Sequence, residues 1–108
     1  MINENVDKSR LSELLMQAPA FIAILKGPDH VFEFANSLYM QLIGNRNVIG
    51  LPVEQALPEV KEQGFIDILN KVYQTGEPFV GAEIPVRLNR KGNGILEEAY
   101  INFIYQPF

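Results

Sequence analysis

The sequence predicts an α+β domain, an antiparallel β-sheet with its helices gathered on one face. Two stretches, residues 21–35 and 79–106, each read as a pair of strands about a polar turn. Between them, residues 65–75 carry apolar side chains at helical spacing, and Gly76 and Pro78 close the run. With 108 residues the chain has the size of one domain, so hairpins and helix must share a single core.

In residues 9–17, Leu11, Leu14, Leu15 and then Ala18 recur at helical spacing, with Ser9 as N-cap and Pro19 ending the run. Residues 1–17 are therefore expected to be a tail and amphipathic helix, and residues 18–108 the domain proper. Residues 21–25 are a compact apolar run closed by Lys26-Gly27-Pro28-Asp29. In residues 31–35, Phe32 and Phe34 fall on one side and Glu33 on the other. Asn36 then stands where a strand pattern gives way to a helical one, carried by Leu38, Tyr39, Leu42 and Ile43. Its side-chain oxygen can accept from the free N–H groups of the first turn, and Gly44 supplies the stop.

Residues 45–64 are broken by Gly50, Pro52, Pro58 and Gly64, so they can hold only short helical turns such as residues 52–57. The clearest helix follows, with Phe65, Ile68, Leu69, Val72 and Tyr73 at offsets 0, 3, 4, 7 and 8. Val80, Ala82, Ile84, Val86 and Leu88 then alternate with Phe79, Gly81, Glu83, Pro85 and Arg87, which gives one aliphatic face. Pro85 disfavours a central place for this strand. After a polar turn ending in Asn93-Gly94, residues 96–106 resume strand composition with Ala99, Ile101, Phe103 and Tyr105 on one face. Each element thus has one apolar side to bury against the other layer.

Apolar residues make up 47% and charged residues 20%, with mean hydropathy +0.01, a globular composition. No apolar run approaches the roughly 18 residues of a membrane span. Nine Lys and Arg against thirteen Asp and Glu leave a net charge of −4, which argues against nucleic acid or anionic lipid as partner. The chain has no cysteine, hence no disulfide, thiolate nucleophile or cysteinyl adduct, and its one histidine excludes multi-His metal sites. Residues 1–6 lack the basic charge of a secretory signal, so the cytoplasm is the expected compartment.

Catalytic constellations find little support. The sole imidazole, His30, adjoins Asp29 in the first hairpin turn and reads as a structural or solvent-exposed histidine. Glu97 and Glu98 are strand neighbours that point to opposite faces, so they cannot share a proton or a metal. Gly92-Asn93-Gly94 joins two strands and lacks the third glycine and following helix of a phosphate loop. Arg87, Arg90 and Lys91 read as a solvated loop. A proton-transfer enzyme would need an inward carboxylate, whereas Glu33, Glu83 and Asp67 fall on outer or polar faces, so no catalysis is expected. Asn102, the odd polar residue in its strand, is directed outward by the alternation.

Several strings follow one another in a recognisable order: Ala18-Pro19-Ala20-Phe21-Ile22-Ala23, then Phe34-Ala35-Asn36, Leu42-Ile43-Gly44 and Val48-Ile49-Gly50-Leu51-Pro52. Tyr73-Gln74-Thr75-Gly76-Glu77-Pro78-Phe79 and Phe103-Ile104-Tyr105-Gln106-Pro107 complete the series. In order and spacing it resembles the PAS sensory-domain family, in the variety found in bacterial sensor histidine kinases. The resemblance spans residues 14–108, and Asn36 coincides with the asparagine that the family places between its second strand and first core helix.

The resemblance implies a curved five-stranded antiparallel sheet whose inner face, with helices across it, encloses a small apolar cavity. On the strands it implies Phe32, Phe34, Ile84, Val86, Ile101 and Phe103 as cavity-lining candidates. On the helices it implies Leu42, Ile68, Leu69 and Val72, the last three on the family's F-type helix at residues 65–75. Members bind a cofactor, a metabolite or nothing, and pass a change of sheet or helix position to a linked output domain. Homodimers through the N-terminal helix and outer sheet face are common among them.

Three departures narrow the expectation. Flavin-adduct and coumarate-binding members need a cysteine, which is absent here. Haem-binding members usually take a proximal histidine from the F-type helix, and residues 65–75 hold none, so haem is not expected. The chain also stops at Phe108, before the fifth strand that the family places between the first and fourth. Unpaired edges on those strands are therefore expected, to be covered by a longer chain or by a second protomer through strand exchange. The resulting expectation is a sensory module for a small apolar ligand, or a relay, acting on an output domain such as a histidine kinase. The alternative is a homodimerisation or protein-interaction module whose cavity is filled by its own side chains.

Overall fold

The structure is a computed structural model that describes residue 10 and residues 13–105. The Ser9 cap, Leu11 and Gln106 lie outside the described residues, as does the direction of the Tyr105 side chain. Residues 13–17 are helical (α1), and the helix ends before Pro19. Strands β1 (Ala23–Lys26) and β2 (Val31–Ala35) make the first hairpin, followed by α2 (Ser37–Leu42) and α3 (Val53–Ala56). A 3₁₀ segment (Pro58–Gln63), α4 (Phe65–Thr75) and a second hairpin of β3 (Phe79–Leu88) and β4 (Glu97–Tyr105) complete the order. The order is the expected one, although β1 begins later than the apolar run at residues 21–25 suggests.

Local chemistry explains the boundaries. Asn36 caps α2, its Oδ1 accepting from the Tyr39 amide at 2.9 Å. Its Nδ2 donates in turn to the carbonyls of Ala20 at 2.6 Å and Leu15 at 3.0 Å, which ties α1 and the approach to β1 onto the start of α2. Asn36 is 0% exposed, so these bonds satisfy a polar group that water cannot reach. Gly44, just beyond α2, holds φ at 81° and lies against the backbone of Arg90 in the β3–β4 turn. Arg90 Nη2 donates to the Gln41 carbonyl at 3.1 Å, so the second hairpin docks on the end of α2.

The two hairpins form separate two-stranded antiparallel sheets, β1 with β2 and β3 with β4. The antiparallel strands and the helices are those of the expected α+β class, and among the described residues no ladder joins β1 to β4. The outer edge of β2 is covered: the Phe32 amide donates to the Leu51 carbonyl at 3.0 Å, and the Gly50 amide to the Phe32 carbonyl at 2.8 Å. Pro85 sits in β3, which pairs with β4 alone among the described residues.

Each ladder contains a bulge that resets which side chains face inward. In the first, Ile24 pairs with Phe34 and Leu25 with Phe32, leaving Glu33 as the extra residue. In the second, Gly81 pairs with Phe103 and Ile84 with Ile101, so Ala82 and Glu83 together oppose Asn102. Glu83 takes φ of 51°, and its amide donates to Asn102 Oδ1 at 2.7 Å. The polar Asn102 is exposed, as the alternation suggested, and its partner is this bulge. The continuous aliphatic face read through β3 is thereby corrected. Ile84, Val86 and Leu88 turn toward the core, but before the bulge it is Phe79 and Gly81 that do so, and Val80 is 69% exposed.

One buried cluster unites β2, α2, α3, the 3₁₀ segment, α4 and β3, with Phe32, Ile43, Val48 and Leu88 almost fully enclosed. Ala99, Ile101 and Phe103 of β4 pack against it. The Phe103 ring stacks on Phe79 at 5.6 Å between centroids and tilts against Phe65 at 5.9 Å, joining the second hairpin to α4.

Candidate functional site

The elements border an apolar cavity of about 970 Å³ that is open on one side, bounded by the first hairpin, α2, α3, α4 and the second hairpin. All four residues of β1 line it, and so do the three consecutive residues Ile101, Asn102 and Phe103 of β4. Neighbouring side chains of a strand point to opposite faces, so lining by consecutive residues means that the strand edges themselves border the cavity. The opening between the two sheets and the cavity are therefore one feature.

Helix α4 forms a wall with Phe65, Leu69, Val72 and Tyr73. It is rolled so that its buried arc extends toward Ile66 and Asn70, with Ile68 at the opposite flank. The cause is polar: His30 Nε2 donates to Asn70 Oδ1 at 2.7 Å. His30 is 6% exposed, holds φ of 55° in the β1–β2 turn, and meets the Tyr73 ring edge-on at 6.2 Å. The turn residue is thus a buried pin between the first hairpin and α4, and the cover comes from a helix forty positions away.

Of the sequence candidates, Leu42, Leu69, Val72, Val86, Ile101 and Phe103 line the cavity. The other four are corrected. Phe32 is 1% exposed and solidly packed, its ring edge-on to Tyr39 at 5.8 Å, so it belongs to the core and not to the lining. Phe34 is half-buried and displaced from that face by the Glu33 bulge. Ile68 is turned aside by the roll of α4, and Ile84 packs against the core next to the β3 bulge.

Sequence reasoning missed Val53, Leu57 and Val60, which line the cavity from α3 and the 3₁₀ segment. Their offsets of 0, 4 and 7 are helical, a signal obscured by the prolines around them. It also missed the approach to β1 and His30. The bulge in β3 did have a marker, since a glycine inside a strand pattern, here Gly81, often signals one.

An ion pair fixes the base of this wall. Arg46 holds Glu59 through two hydrogen bonds, Nη1 to Oε1 at 3.0 Å and Nη2 to Oε2, while the Asn89 amide donates to the same Oε2 at 2.9 Å. Burial alone would raise the Glu59 carboxyl, but the bonds from Arg46 and the Asn89 and Glu59 amides, with the charge of Arg46, outweigh it and hold the group below the usual carboxylate range. Val60 and Leu57 flank this anchored carboxylate. Glu33, Glu83 and Asp67 are exposed. Among the described residues, no group of three or more His, Cys, Asp or Glu side chains could hold a metal, and no helix is long and apolar enough to cross a membrane.

A family model described as PAS fold matches residues 15–100, a span that takes in the end of α1, both hairpins up to the middle of β4, and every element of the cavity wall between them.

Proposed function

This chain belongs to the PAS fold family, and on that premise we propose that it is a sensory module that reads cavity occupancy and passes it to an output domain such as a histidine kinase. The observation that carries the reading is the apolar cavity of about 970 Å³ walled by a helix that the His30–Asn70 hydrogen bond ties to the first hairpin. A ligand that prefers one setting of α4 against the strands shifts the population toward that setting, and an attached effector responds to the shift. The domain itself carries no catalysis in this reading, and it works in the cytoplasm.

Thermal unfolding and native mass spectrometry against a panel of apolar metabolites test the proposal. A ligand at a hundred times its Kd adds about 2.7 kcal/mol to stability. A chain that no member of the panel stabilises overturns ligand sensing in favour of the second reading, a homodimerisation module. That reading draws on exposed apolar side chains, Tyr100 at 67% and Ile95 at 66%, on the second hairpin. Sedimentation over a range of concentrations tests it, and a monomer throughout removes it.

A further inference from the structure

Of the asparagines in the chain, Asn93 alone precedes a glycine. The pair falls in the β3–β4 turn, where Asn93, Gly94 and Ile95 are all exposed, and the point where a Gly94 side chain would begin looks onto open space. Closure of an asparagine side chain onto the next main-chain nitrogen needs that combination, because any side chain on the following residue crowds the approach. Asn36 precedes the small Ser37 but is 0% exposed, with both ends of its amide bonded. Asn45, Asn70 and Asn102 precede the larger Arg46, Lys71 and Phe103.

The turn presents the reacting groups to one another. The Ile95 amide donates to Asn93 Oδ1 at 3.0 Å, which folds the side-chain amide back over the turn and draws electron density from Cγ. The same donor faces the oxygen on which charge develops when Cγ is attacked. Against this, the Gly94 amide donates to Asn89 Oδ1 at 3.2 Å, so the nitrogen that must lose its proton is held by an acceptor. Asn89 is itself fixed, its own amide donating to Glu59 Oε2 at 2.9 Å.

From this we propose that Asn93 is a site of spontaneous deamidation, with the Gly94 nitrogen as nucleophile and Asn89 as the restraint on it. The nitrogen gives its proton to hydroxide and bonds to Asn93 Cγ, while the Cγ–Nδ2 bond breaks and Nδ2 leaves as ammonia with a proton taken from water. Water then opens the succinimide at either carbonyl. Breaking the new Cγ–N bond leaves aspartate, and breaking the original peptide bond leaves isoaspartate, whose main chain runs through the side chain. Either product adds a carboxylate, and isoaspartate lengthens the turn that docks on Gly44 and Glu59. None of residues 89–95 lines the cavity, so the modification bears on the seat of the second hairpin and is independent of what the cavity holds.

Holding the intact chain in mildly alkaline buffer made with heavy-oxygen water, followed by peptide mapping that separates aspartate from isoaspartate, tests the proposal. Label should enter at Asn93 in both products, at least fivefold faster than at Asn36, Asn45, Asn70 or Asn102. Asn89→Ala, which frees the Gly94 amide but keeps the backbone donor to Glu59, should raise the rate at Asn93 at least threefold, and a thermal scan checks that the variant is folded. Asn89→Asp keeps the accepting oxygen and should stay within twofold of wild type. Labelling at Asn93 no faster than at the other four overturns the site, and an Asn89→Ala rate equal to that of wild type overturns the restraint.

Discussion

The Ile22 amide donates to Asn36 Oδ1 at 3.1 Å while the Asn36 amide donates to the Ile22 carbonyl at 2.8 Å, so the two residues bind each other reciprocally across the first hairpin. A side-chain oxygen shared between Ile22 and the Tyr39 cap makes the end of β2, the approach to β1 and the first turn of α2 one rigid corner.

Replacing Asn36 by Ala should destabilise the domain by about 3 kcal/mol. Loss of the cap costs roughly 1 kcal/mol, and stranding the buried partners of both ends of the amide adds about 1–3 kcal/mol. Asn36→Asp keeps the accepting oxygen but removes the donor to Ala20 and Leu15, so it should fall well short of wild type. Urea unfolding of the two variants checks this, and an Asp variant as stable as wild type would show that the cap alone matters.

The Glu59 carboxyl, held below its unfolded value, stabilises the fold at neutral pH, and that stabilisation is lost as pH falls through the folded value. Glu59→Gln should cost about 2 kcal/mol at pH 7, below the range for a fully buried pair. Its urea midpoint should change less between pH 7 and acid than that of wild type, because the titrating group is gone. Parallel midpoints for the two proteins across that interval would contradict the assignment.

Gly44→Ala should be more damaging than its size suggests. A Cβ there falls inside the van der Waals envelope of the Arg90 carbonyl, a backbone atom, and φ of 81° is unfavourable for any side chain. The two effects together predict a loss of about 3 kcal/mol. Hydrogen exchange in the β3–β4 turn should rise in the same variant, since that turn docks on Gly44.

The roll of α4 separates two adjacent leucine-sized side chains. Leu69→Ala, which empties a position 6% exposed, should cost about 3 kcal/mol and alter ligand affinity. Ile68→Ala, on the flank, should cost about 1 kcal/mol and leave affinity unchanged. Equal effects at the two positions would place the buried face where the simple helical spacing puts it.

Much of this was legible along the chain because the forces are local. Asn36 announced the start of α2 by its place between two periodicities, and Gly76 with Pro78 announced the end of α4. The second hairpin was legible from alternation and a polar turn. Reading failed where a single residue slips a register: Gly81 and Glu33 mark bulges, and each reverses the faces on one side of it. It failed likewise at Val53, Leu57 and Val60, where helical spacing crosses proline-broken backbone.

The amino-acid order by itself determined which segments are strand or helix, where they stop, and that their apolar sides need one shared core. Only the tertiary structure decided that His30, a turn residue, is buried under α4, that the helix is rolled toward Asn70, and that the two hairpins stand apart around an open apolar space. The reason is physical. Periodicity records the contacts of a segment with its own neighbours, whereas the hydrogen bond between His30 and Asn70 joins residues forty apart and exists only once the chain has folded over itself.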